Sequence, residues 1–128
     1  MGHVLVVDDD KLFLQVVCRA LQVDGIQAVP VQSGEEALAN VKRFRPELIL
    51  LDVVMPGMDG LTVLRTLRLE QETANIPVII FSVTTTENVA EKAMALGANA
   101  VLLKTRFSIA ELRKMVKEYV GKSRGEAA

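Results

Sequence analysis

Apolar residues along this chain fall into two alternating patterns. Short runs of four to six residues, rich in Val, Ile and Leu, predict strands at His3 to Val7, Ile26 to Val31, Glu47 to Leu51, Pro77 to Phe81 and Ala100 to Leu103. Between them, apolar positions recur every three or four residues, the period of a helix with one buried face. Phe13, Val16, Val17, Ala20 and Leu21 make the first such stripe, and Ala37, Leu38 and Val41 make a second behind a cap at Ser33 or Gly34. Leu61, Leu64 and Leu67 follow a Gly, while Val89, Ala93 and Leu96 precede a stop at Gly97. Ile109, Leu112, Val116 and Val120 start after Ser108, with Glu111 three residues on as in a capping box. Continuous apolar strands imply burial on both faces. Five βα units therefore predict an α/β fold, a doubly wound parallel sheet with helices on both sides. In such sheets ligands bind beyond the carboxyl ends of the strands, so the residues just after each strand are the ones to read for chemistry.

Composition narrows the classes further. A chain of 128 residues suits one domain, expected over residues 1–121, with residues 122–128 a flexible tail whose Lys122 and Arg124 are solvated charges. With 50% hydrophobic and 24% charged residues, and no apolar run near the length of a spanning helix, membrane-spanning and disordered classes are excluded. A net charge of -1 announces neither nucleic acid nor a membrane surface as a partner. Cys18 is the single cysteine and His3 the single histidine, which excludes an intrachain disulfide, a cysteine-based zinc site and any His-containing triad. No secretion signal opens the chain, so a cytoplasmic location is expected. Catalysis is left to carboxylates, hydroxyls and amines.

Asp8, Asp9 and Asp10 follow the first strand. Capping of a helix explains Asp10 well and Asp9 passably, but it does not explain Asp52, which follows the third strand and belongs at the same edge of the sheet. Carboxylates gathered in one pocket repel, and a hard divalent cation resolves that repulsion. Mg²⁺, with Mn²⁺ as the alternative, takes oxygen ligands and is usually held by one or two carboxylates together with phosphate oxygens. Ser82 after the fourth strand and Lys104 after the fifth add a hydroxyl and a fixed positive charge. Each is ordinary alone; together the five positions describe a phosphate site with a metal.

On these residues the chain resembles a response-regulator receiver domain of two-component signalling. The carriers are Val4 to Asp10, Asp52-Val53-Val54-Met55-Pro56-Gly57-Met58-Asp59-Gly60, Ile76 to Ser82 and Leu102-Leu103-Lys104. The resemblance implies a flavodoxin-like fold with strand order 2-1-3-4-5. It also implies Asp52 as phosphoacceptor, Asp9 as a direct Mg²⁺ ligand, Asp8 as a ligand largely through water, and Val54 as the donor of a backbone carbonyl. Ser82 would hydrogen-bond a phosphoryl oxygen, and Lys104 would pair with another and, before phosphorylation, with the acids. The phosphoryl donor would be a sensor histidine kinase or a histidine phosphotransfer protein. Output would pass through the face of the fourth helix, fifth strand and fifth helix (Ala90 to Leu96, Val101 to Phe107, Arg113 to Lys117) to a target, a kinase or a second copy in a phosphorylation-linked homodimer. A stand-alone receiver is expected, with no DNA-binding or catalytic output region after the fifth helix. The resemblance implies a phosphoacceptor that would assist its own phosphorylation and dephosphorylation, rather than an enzyme.

The sequence departs from the family at several places. Thr105 stands where the family usually has a cis proline; a non-proline cis bond costs about 2.5 to 4 kcal/mol, so a trans Lys104–Thr105 bond is expected. Val101 replaces the aromatic or His that swings inward in the family, and Val83 replaces a small residue, narrowing access to Asp52. Val54 and Thr84, two places beyond the acceptor and the hydroxyl, are neither acid nor amide, which implies slow hydrolysis of the phosphoryl group. Haloacid-dehalogenase-like phosphatases place a second Asp where Val54 stands, so turnover of external substrates lacks its general acid. The alternative to a working receiver is a receiver-like scaffold that binds partners without phosphorylation. The Met55 to Gly60 loop is read as a turn, with Asp59 capping the next helix and Met55 and Met58 as packing residues.

Overall fold

The computed structural model describes residues 3–83 and 87–123. Its elements alternate strictly: β1 (Val4–Val7), α1 (Lys11–Val23), β2 (Ala28–Val31), α2 (Gly34–Phe44), β3 (Leu48–Asp52), α3 (Gly60–Leu69), β4 (Val78–Ser82), α4 (Glu87–Ala95), β5 (Ala100–Leu103) and α5 (Ile109–Ser123). All strand pairings are parallel, in the order β2-β1-β3-β4-β5. The doubly wound fold and its strand order are therefore as expected. α5 runs through Ser123, so its helix enters the stretch read as a tail; residues 124–128 lie outside the described residues.

β1, β3 and β4 are buried along their whole length, as their unbroken apolar runs require. Alternate residues serve opposite faces. Leu5, Val7, Ile49, Leu51, Val78 and Ile80 pack with residues of α2, α3 and α4, while Val4, Val6, Leu48, Leu50, Ile79 and Phe81 pack with α1 and α5. Helix stripes differ from expectation in detail. α1 buries Leu14, Val17 and Leu21, whereas Val16 is exposed; α3 buries Val63 with Leu64 and Leu67. Adjacent positions in a helix diverge by about 100°, so the buried arc can take in both of a pair, as at Val63 and Leu64, or only one, as at Val16 and Val17, and periodicity alone does not say which.

The caps follow the sequence closely. Ser33 Oγ accepts the Glu36 N–H at 3.1 Å, Asp59 accepts the Thr62 N–H at 2.8 Å, and Ser108 Oγ accepts the Glu111 N–H at 3.1 Å. Gly97 ends α4 with φ +103°, a conformation glycine adopts without strain. At the edge, Pro30 sits exposed inside β2. The carbonyls of Gln27 and Val31 accept from β1, so odd-numbered residues of β2 face β1 and the nitrogen of Pro30 faces outward. No described helix is long and apolar enough to cross a membrane.

Candidate functional site

Parallel strands bring their carboxyl ends to one edge, and there the expected residues gather. Asp8 follows β1, its N–H donating to the Val31 carbonyl at 3.1 Å. The side chain is fully buried, and its Oδ1 accepts the Asp10 N–H at 2.9 Å. Asp10 is the N-cap of α1, accepting the N–H groups of Leu12 at 3.0 Å and Phe13 at 3.2 Å. Its capping role is thus the structural one, while Asp9 between them is exposed.

Asp52 is the last residue of β3 rather than the first of the loop, in register with Phe81 of β4. It is only 4% exposed. Beneath it the turn is tight: the Gly60 N–H donates to the Val53 carbonyl at 2.8 Å, and a Cβ on Gly60 would lie 2.1 Å from the Asp52 carbonyl oxygen. Glycine at position 60 therefore lets α3 begin directly against the end of β3. Gly57, with φ +75°, supplies the reversal before it. Met55 is buried and Met58 half-buried in the core on that face, as packing residues.

Ser82 ends β4, buried and in register with Leu103. Its carbonyl accepts the Lys104 N–H at 2.9 Å, which fixes where β5 releases the chain. Lys104 then reaches back over the edge, its Nζ 2.5 Å from Asp8 Oδ2 and 3.4 Å from Asp52 Oδ1. The Lys104–Thr105 peptide is trans, as expected. Val54, two places after Asp52, and Val83, next to Ser82, have exposed side chains, Val101 is half-buried against the core, and Thr84 lies outside the described residues.

Electrostatics distinguish the members. Burial, with the charge of Asp8 added, pushes the Asp52 carboxyl up to about 6 against the opposing pull of Lys104. For Lys104, burial alone would lower the pKa, but the hydrogen bond to Asp8 and the charges of Asp52 and Asp8 outweigh it and raise it above the usual lysine value. One ammonium thus faces three carboxylates. Asp8, Asp9 and Asp52 each offer an oxygen within 4.8 Å of the others, and the buried Asp8 Oδ2 has the Lys104 ammonium as its partner. A hard dication fits this set, because all the donors are carboxylate oxygens and the single ammonium of Lys104 leaves negative charge in excess.

One neighbour was not legible in the sequence as part of the site. Phe13, read only as a core position of α1, places its ring 4.5 Å from the Lys104 ammonium. No spacing signals this, because the two residues come from distant parts of the chain.

Comparison with known proteins agrees with this geometry. The response regulator receiver domain family matches residues 4–117, and the chain belongs to that family. It is 30% identical over 126 residues to the DNA-binding response regulator MtrA of Mycolicibacterium smegmatis, covering 98% of this chain and 54% of that protein. The chain thus spans about half the length of that relative. Among solved structures, it resembles the chemotaxis protein CheY4 of Vibrio cholerae with a TM-score of 0.85 and 29% identity, over 93% of this chain and 98% of that one. A receiver domain of the Francisella response regulator 1452 superposes with a TM-score of 0.86 and 31% identity, covering 96% and 99%. Receiver domains are signalling phosphoacceptors of two-component systems, and they bind Mg²⁺ at an acidic pocket of this kind.

Proposed function

We propose that Asp52 accepts a phosphoryl group from a phosphohistidine of a sensor kinase or phosphotransfer protein, and that this switches protein–protein contacts. The observation that carries the reading is the buried Asp52 carboxylate with Lys104 at 3.4 Å and Asp8 and Asp9 beside it. A carboxylate oxygen of Asp52 attacks phosphorus in line. The phosphorus–nitrogen bond of the donor breaks, and its electron pair stays on the donor nitrogen, which takes a proton from solvent. Charge then spreads over the equatorial phosphoryl oxygens, where Lys104 meets one and Ser82 another. Asp8, Asp9, Asp52 and the Val54 carbonyl would hold Mg²⁺, which when bound supplies positive charge to those oxygens. No general base is needed, since the nucleophile is already ionised at neutral pH.

Val54 and Val83, 59% and 52% exposed, flank the approach to Asp52 and offer no group to orient a hydrolytic water. A long-lived phosphoryl group follows, with a preference among donors set by Val83. Output runs through the face of α4, β5 and α5.

The test is intact mass after incubation with Mg²⁺ and a small phosphoramidate. Wild type is expected to gain one phosphoryl and keep it well beyond seconds, with no gain in Asp52→Asn or with a chelator. Decay within seconds would remove the claim about lifetime. No gain with either this donor or a phosphorylated kinase would leave a scaffold that binds partners without phosphorylation.

A further inference from the structure

Three of the chain's four phenylalanines meet beside Lys104. Phe13 of α1 stands edge-on to Phe81 of β4 with ring centroids 5.4 Å apart, Phe107 lies 5.1 Å from Phe81, and Phe13 and Phe107 are 6.3 Å apart. The Lys104 ammonium lies over the Phe13 ring, 4.5 Å from its centroid. We propose that Phe13 is a positioning residue for Lys104, its ring face holding the ammonium between Asp8 and Asp52 and so setting the rate at which Asp52 accepts a phosphoryl group. This rests on the reading of Asp52 as phosphoacceptor.

A lysine side chain has four rotatable bonds and a strongly hydrated head, so a buried ammonium needs more than one partner to stay in one place. Here the side chain is only 13% exposed, and its two acids hold it unequally, Asp8 at 2.5 Å and Asp52 at 3.4 Å. The face of an aromatic ring attracts a cation through its quadrupole, most strongly where water is excluded, and it does so without taking a hydrogen bond. The ammonium can therefore be held by Phe13 while its N–H groups remain turned to the carboxylates.

The ring is itself fixed. Its backbone N–H is tied to the Asp10 cap at 3.2 Å, and its edge contacts to Phe81 and Phe107 set its tilt. An aliphatic residue would satisfy the apolar period of α1 equally well, but it would offer the ammonium no attraction.

The full chain with Phe13 replaced by mono-, di- and trifluorinated phenylalanine separates attraction from packing, because fluorination strips the negative ring face and preserves the shape. The rate of phosphoryl uptake from a phosphoramidate with Mg²⁺ is expected to fall stepwise along the series, by about five- to thirty-fold in all. Phe13→Tyr should stay near wild type and Phe13→Leu should fall as far as the trifluorinated form. Equal rates across the fluorinated series, with a fall only in Phe13→Leu, would overturn the proposal and leave a packing role. The nitrogen NMR signal of the Lys104 ammonium in unphosphorylated, metal-free protein gives a second reading. It is expected to broaden along the series as the group exchanges more freely with water. Should wild type take up no phosphoryl group from this donor or from a phosphorylated kinase, the phosphoacceptor reading fails, and this signal alone decides: graded loss supports the positioning role, and an unchanged signal refutes it.

Discussion

Asp52 sits among opposing influences, and the balance has a sign that can be measured. Its carboxyl is pushed up to about 6, while in the unfolded chain it titrates near the ordinary aspartate value of about 4. The folded protein therefore binds this proton more tightly than the unfolded one. The stabilisation linked to it is fully present below about pH 4 and is lost as pH rises through about 6. Metal-free protein should accordingly lose this contribution between about pH 4 and pH 6. Mg²⁺ should raise the melting temperature much more at pH 7.5 than at pH 5, where a proton competes for the same oxygen. Phosphoryl uptake should fall on the acid side of pH 6. An equal Mg²⁺ effect at both pH values, by thermal denaturation, would contradict this. The residue identities behind the prediction were open to reading in the sequence, since Asp8, Asp9, Asp52, Ser82 and Lys104 all end or follow strands. Their inequality was not: that Asp8 is fully buried and Asp9 exposed depends on how α1 leaves the sheet.

At the level of elements, turn chemistry was read most faithfully and helix faces least. Ser33, Asp59 and Ser108 cap as their spacing implies, because a cap is a contact between residues two or three apart. Which apolar residues of α1 and α3 turn inward is decided by the sheet, and so Val16 came out exposed and Val63 buried. The close approach of α3 to β3 was likewise hidden, although Gly60 marked it. Gly60→Ala would drive a methyl group into the Asp52 carbonyl, a backbone atom that cannot swing aside. The expected loss is about 2 to 4 kcal/mol in urea denaturation, together with slower phosphoryl uptake because the end of β3 must shift. Gly25→Ala has open space around it and strains only the backbone, so it should cost less and leave uptake unchanged.

At the scale of the whole molecule, the edge opposite the site is stitched by side chains among the described residues. Arg68 at the end of α3 donates to the carbonyls of Gly97 at 2.9 Å and Ile76 at 2.8 Å and to Asn99 Oδ1 at 3.3 Å, while Asn99 Oδ1 also accepts the Val78 N–H at 2.9 Å. One guanidinium thus joins α3, the entry to β4 and the turn before β5. On the other face, Arg113 of α5 grips Asp24 at the end of α1 through two bonds of 2.8 and 2.9 Å. Arg68→Leu should lower stability by about 2 kcal/mol in urea denaturation, since charged hydrogen bonds are lost and carbonyls are left wanting, yet it should leave phosphoryl uptake intact. A matched loss of uptake would mean that the two edges are not independent. Pro30 shapes the outer rim of the same sheet. The outward-facing nitrogen of β2 has no hydrogen to offer at the point where an incoming strand would need one. The sheet is in this sense finished at β2, and copies of the protein crowded together are denied that edge as a template for end-to-end growth.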